Sequence, residues 1–195
     1  MSFDVVILAG GKSSRFGCDK CEFKINGATM LDRLNFEFGE PLIVSRHQRG
    51  YKREVVEEGR YEGPLKGIKT ALNYMKGDKV FLTGCDYPFL TSRLVEHFCD
   101  KNFKVVSYYD GRFQPLLSCY SLDYLKQVIG NARKLTDLIL MSNEIYLVGY
   151  YEVKMLDPYM LSVEDMDSLV SQRRKEEFKV SQILLKESSE ILMRS

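Results

Sequence analysis

The stretch Leu8-Ala9-Gly10-Gly11-Lys12-Ser13-Ser14-Arg15-Phe16-Gly17-Cys18-Asp19-Lys20 gathers glycines, hydroxyls and three cations into one short run. That is the equipment of a polyphosphate site. Glycine tolerates positive φ and lets the main chain approach a ligand closely, so successive amides at Gly10 and Gly11 can point at anionic oxygens. Arg15 offers a planar fork and Lys20 a point charge, the two kinds of cation that neutralise a triphosphate and a departing pyrophosphate. A P-loop is excluded, because Gly11-Lys12-Ser13 would need glycine at position 6, which is Val6, and no G-x-G-x-x-G follows. A second chemical centre is Asp86, in Phe81-Leu82-Thr83-Gly84-Cys85-Asp86-Tyr87-Pro88-Phe89-Leu90. Pro88 holds Tyr87 extended and ends a strand, which leaves the Asp86 carboxylate at its tip. A carboxylate facing phosphates suits Mg²⁺, which keeps several waters and shares oxygens with its substrate. As a helix cap Asp86 is poorly placed, since Thr91 and Ser92 stand nearer the next helical segment.

These groups need a frame. Short apolar runs at Asp4–Leu8, Leu42–Ser45, Glu54–Val56, Lys79–Thr83, Lys104–Tyr108, Leu116–Tyr120 and Ile145–Val148 read as strands. Between them, Met30–Phe38, Leu65–Met75, Ser92–Asp100, Leu122–Ile129 and Lys134–Met141 read as helices. The alternation predicts an α/β fold, a doubly wound, mostly parallel sheet with helices on both faces. In such sheets ligands bind beyond the carboxyl ends of the strands, where both the loop after the first strand and Asp86 would lie.

With 195 residues and 45% hydrophobic content, the chain supports one core and so a single domain over 1–195, with 171–195 as a helical extension. The extension is expected to pack on the domain, on a second copy, or against a cofactor-delivery partner. A formal net charge of +1 excludes the broad basic field of non-specific nucleic-acid or membrane binders, so any anion site must be local. Val5-Val6-Ile7-Leu8 is far too short to span a bilayer and lacks a basic region before it, which leads to the expectation of a cytoplasmic protein. Five cysteines scattered through the chain do not resemble a dense disulfide framework, and most are expected to be small buried hydrophobes. Cys18 and Cys21 form a C-x-x-C, but no second pair follows to complete a zinc site.

The N-terminal run resembles the signature of the nucleotidyltransferases with a Rossmann-like fold, and within them the molybdenum cofactor guanylyltransferases. Three further segments carry the likeness: Glu62-Gly63-Pro64-Leu65-Lys66-Gly67-Ile68 beside the base, the Asp86 strand, and Arg112-Phe113-Gln114-Pro115-Leu116-Leu117-Ser118-Cys119-Tyr120 on the acceptor side. The resemblance implies transfer of GMP from GTP to the phosphate of molybdopterin, with Mg²⁺ as cofactor and Arg15, Lys20 and Asp86 as catalytic residues. It further implies that Leu8, Ala9, Gly10, Gly11, Lys20, Ser45, Glu58 and Asp86 hold the nucleotide, Asp86 through the metal. Gln114 and Arg133 would meet the acceptor, the first at a pterin-like ring and the second at its phosphate.

Several positions depart from the family pattern. Ser45 stands where the family often has Asn, and Glu58 where it often has Asp; a carboxylate there can accept from guanine N1–H and N2–H₂, a pattern adenine lacks. Near the C-terminus the family often has Asn-x-Asn-Thr-Pro-Glu-Asp-Leu, but this chain has Tyr159-Met160-Leu161-Ser162-Val163-Glu164-Asp165-Met166. Two other readings therefore stay open: a related transferase using CTP on the same pterin or GTP on another phosphorylated acceptor, and a GTP-binding regulator that has lost turnover.

Overall fold

The computed structural model describes residues 2–10, 19–25, 27–59 and 62–158. Seven strands form the main sheet: β1 (Phe3–Leu8), β4 (Leu42–Ser45), β5 (Glu54–Val56), β6 (Lys79–Gly84), β7 (Val105–Tyr109), β8 (Phe113–Ser121) and β9 (Ile145–Gly149). A two-stranded ribbon, β2 (Lys24–Ile25) with β3 (Ala28–Thr29), leads into the first helix. The helices are α1 (Met30–Phe38), α2 (Pro64–Ala71), α3 (Ser92–Cys99), α4 (Leu122–Val128), α5 (Asp137–Leu140) and α6 (Tyr150–Leu156).

Strand order is β5-β4-β1-β6-β8-β7-β9. The pairs from β5 through β6 are parallel, as is β7 with β9, whereas β8 runs antiparallel to both its neighbours. The sheet is therefore mostly parallel, as expected, with one reversed strand.

Alternate residues of each strand feed two cores. Val5 and Ile7 of β1 face α1, α3 and α6, packing with Leu31, Leu34, Phe98 and Val153. Val6 faces the opposite way, with Ile68 and Ala71 of α2, Leu125 of α4 and Leu138 of α5. Both faces of the sheet are thus covered, which is why its central strands read as unbroken apolar runs.

The helix starts follow from local chemistry. Thr29 and Asp32 form a reciprocal capping box at α1, and Thr91 caps α3 through the Leu94 amide. Gly63 adopts φ 97° immediately before Pro64, so α2 begins with proline at its first position. Because Thr91 does the capping, Asp86 is left to another role.

Four of the five cysteines pair, Cys21 with Cys85 and Cys99 with Cys119, which corrects the expectation that most are free buried hydrophobes. Their separations of 64 and 20 residues hid the pairing, since connectivity depends on a topology that spacing does not reveal. Cys18 of the C-x-x-C lies outside the described residues, as do Arg15, Gly11, Lys12 and the extension at 171–195. Among the described residues, no helix is long and apolar enough to cross a membrane.

Candidate active site

The parallel register aligns Leu8 at the end of β1 with Val44 of β4 on one side and Gly84 of β6 on the other. The chain leaving β1 therefore emerges between the tips of β4 and β6. Ala9 continues the sheet by donating its amide to Val44 O at 2.7 Å, and Gly10 follows against the side chains of Arg46 and Glu57. A Cβ built on Gly10 would stand 2.9 Å from Glu57 Oε2, so a side chain here would displace the carboxylate. Gly67 of α2 lies against the other carboxylate oxygen, where a Cβ would stand 3.4 Å from Glu57 Oε1.

Glu57 is the carboxylate the fold turns inward at this point. Its Oε1 is buried without a hydrogen-bond partner among the described residues. Burial pushes its pKa above the ordinary carboxylate range, a shift that Lys66 and Arg46 reduce and Glu62 adds to. Glu58, the position given by the resemblance, is exposed. Strand alternation explains the exchange, because neighbouring residues leave a strand end on opposite sides. Ser45 is fully buried, and its hydroxyl lies 2.7 Å from His47 O and 2.8 Å from Glu54 Oε1, so it serves the β4–β5 turn.

Lys20 and Asp86 meet across the crevice, Nζ to Oδ2 at 4.0 Å, with both side chains partly exposed. Lys20 opens a short 3₁₀ turn over Lys20–Glu22 that Asp19 caps through the Cys21 amide at 3.0 Å. Asp86 lies two residues past β6 and folds back over Gly84, where a Cβ would overlap its carboxylate. Cys21 and Cys85, each beside one of these residues, are the bonded pair, so a covalent link joins the two arms of the site.

On the acceptor side, the antiparallel pairing of β6 and β8 aligns Leu117 with Thr83, so the start of β8 lies toward the same end of the sheet as Asp86. Gln114 is there, and its Nε2 donates to Asp110 Oδ2 at 3.0 Å across the β7–β8 turn. Arg133 is exposed in the segment after α4, with its backbone amide donating to Asp137 at 2.9 Å. It shares no hydrogen bond or ion pair with the crevice residues among those described.

Arg49, from the β4–β5 turn, is the residue sequence reasoning missed. It reads as an ordinary loop cation, yet its side chain is only 3% exposed and ion-pairs with both Asp19 and Glu22. Among the described residues no group of three acidic, His or Cys side chains could enclose a metal. A single carboxylate at an open crevice fits a Mg²⁺ completed by water and phosphate oxygens, and it does not fit an all-protein cage.

A mixed α/β sheet with a glycine-rich sequence after its first strand and a carboxylate at the tip of the neighbouring strand is the frame of an α/β nucleotide-binding protein. The family model described as the MobA-like NTP transferase domain matches residues 5–143, and the chain belongs to that family. It is 30% identical over 185 residues to a probable molybdenum cofactor guanylyltransferase of Carboxydothermus hydrogenoformans, covering 89% of this chain and 87% of that protein. A protein of the same description from Pyrococcus horikoshii is 28% identical over 203 residues, covering 92% and 99%. Among solved structures, molybdopterin-guanine dinucleotide biosynthesis protein A from Archaeoglobus fulgidus superposes with a TM-score of 0.66 at 17% identity, covering 87% of this chain and all of that one, a likeness of fold.

Proposed function

We propose that this enzyme transfers GMP from GTP to the terminal phosphate of molybdopterin. An oxygen of the acceptor phosphate attacks the α-phosphorus, the bond from that phosphorus to the bridging oxygen breaks, and pyrophosphate leaves with the electron pair. The observation that carries the reading is the Lys20–Asp86 pair, 4.0 Å apart beyond the ends of adjacent strands. The pair sets a cation and a carboxylate side by side at the crevice, Lys20 to meet a polyphosphate and Asp86 as the residue that would hold a divalent cation.

Two anions must meet, so catalysis here is positioning and charge neutralisation. Lys20 stabilises charge on the α-phosphate, and Arg15 is assigned to the leaving group. Asp86 would hold Mg²⁺, which when bound draws charge from the phosphate oxygens. Leu8, Ala9 and Gly10 let the nucleotide lie against main chain. For the base, the geometry favours Glu57 over Glu58: an inward carboxylate with an unsatisfied oxygen accepts from guanine N1–H and N2–H₂. Gln114 and Arg133 are assigned to the acceptor's ring and phosphate.

The names of the relatives support guanylyl transfer to the molybdenum cofactor. The test is nucleotide choice followed by turnover. GTP with Mg²⁺ is expected to raise the melting temperature more than CTP or ATP, and incubation with molybdopterin to release pyrophosphate. Greater stabilisation by CTP would reassign the nucleotide, and binding of GTP without pyrophosphate release would mark a regulator.

A further inference from the structure

We propose that Arg49 is a positioning residue that holds Lys20 in place by clamping the turn over Lys20–Glu22 to the chain just past β1; its catalytic consequence rests on the function proposed above. One guanidinium touches three points. Nη2 donates to Ala9 O at 3.2 Å and pairs with Asp19, and Nη1 pairs with Glu22. Ala9 precedes residues 11–18 and Asp19 follows them, so a single rigid fork fixes the spacing between entry and exit. Asp19 and Glu22 also bracket Lys20 along the chain, and Asp19 caps the turn on which Lys20 sits.

Arg49 is itself fixed from behind. Glu54 accepts its backbone amide at 2.9 Å, together with the Gly50 amide at 2.9 Å and the Ser45 hydroxyl at 2.8 Å. Burial pushes the Glu54 pKa up, but these donors and the Tyr51 amide outweigh it and hold the carboxylate below its usual range. The chain thus connects β5 through Glu54 and Arg49 to the Lys20 turn. A phosphate ligand is the rival role for an arginine near this crevice, and burial argues against it: both terminal nitrogens already serve protein oxygens, Nε, which has no partner among the described residues, is itself buried, and only 3% of the side chain reaches solvent.

Arg49→Met is expected to fold, because the carboxylates it leaves behind can reach water: Asp19 is 29% and Glu22 56% exposed. Arg49→Lys keeps the charge but loses the fork, and is expected to recover only part of the function. The experiment is a double-mutant cycle on pyrophosphate release with Lys20→Met and Arg49→Met, run beside amide hydrogen exchange. Arg49→Met is expected to lower kcat about 10- to 100-fold with KM for GTP changed less than about threefold, and to add less than about twofold in the Lys20→Met background. Independent, additive losses would overturn the proposal. Exchange at Cys21–Phe23 is expected to quicken at least about tenfold while β1 and β6 keep their protection. Unchanged exchange there would refute the clamp whatever the enzyme's activity, whereas faster exchange in a protein that transfers nothing would leave the clamp standing and defeat only the functional reading.

Discussion

At the scale of single residues, Glu57 sets stability against recognition. Its carboxyl binds a proton more tightly in the folded chain than in the unfolded one, because burial raises its pKa. The sign follows from linkage: this group favours the fold most below the unfolded pKa, and that contribution is lost as pH rises through the higher folded pKa. Glu57→Gln is therefore expected to raise the melting temperature at neutral pH, with the gain vanishing as pH falls below the ordinary carboxylate range. The same change should weaken GTP binding about 10- to 100-fold, the worth of a hydrogen bond to a charged group, and reduce the preference for GTP over ATP. Calorimetric titration across pH checks both halves, since wild-type affinity should fall as pH drops through the raised pKa while that of the variant stays flat. The inward position of Glu57 was not legible in the sequence, where Glu57-Glu58 is a pair of acids before a turn. Which one faces the crevice depends on where β5 ends, and a one-residue difference exchanges the faces. Arg49 escaped notice for a related reason: a loop arginine looks solvated until the topology brings Asp19 and Glu22 against it.

At the scale of elements, the tip of β6 does the work of aiming Asp86. Gly84, the last residue of the strand, supplies the space over which the carboxylate folds back. Gly84→Ala is expected to push the carboxylate out of that position, lowering kcat by about 10² and raising the Mg²⁺ concentration needed for half-maximal rate, because misplacing a reacting group by an ångström costs about that much. The melting temperature should change little, as the main-chain pairing with Leu8 does not depend on a side chain at 84. A Mg²⁺ titration of steady-state rate would reveal an unchanged requirement if Asp86 did not hold the ion. The seven main strands were legible as short apolar runs, and their bounds shift by only a residue or so except at β8, which starts earlier, at Phe113. The reversal of β8 was not, since a strand buried on both faces carries the same pattern whichever way it runs. Helix α6 was also missed. Its one deeply buried residue is Val153, and it is docked by Glu152, which binds His97 and Lys101 of the α3 end, contacts that no local pattern announces.

At the scale of the whole molecule, the two disulfides separate stability from catalysis. Both lie in the core shared by α1, α3 and α6, but Cys99–Cys119 joins the end of α3 to the middle of β8, away from the crevice, whereas Cys21–Cys85 joins the two arms of the site. If a cross-link acts by restricting the unfolded chain, opening the loop of 20 residues should cost about 3 kcal/mol and the loop of 64 about 4 kcal/mol. For a chain of this size each kcal/mol moves the melting temperature by about 2–4 °C, so the alanine pairs Cys99→Ala/Cys119→Ala and Cys21→Ala/Cys85→Ala should melt roughly 10 °C below wild type, the second pair lower. Activity at a temperature where all three proteins are folded should divide them differently. Without Cys99–Cys119 kcat should stay within about twofold, because nothing at the site moves. Without Cys21–Cys85 it should fall about tenfold, because the covalent link between the Lys20 and Asp86 arms is then lost and the ion pair between them is solvent-screened. Equal losses of kcat in the two variants would mean that the core transmits any loosening to the crevice, and equal retention would mean that Lys20 is fixed without the disulfide.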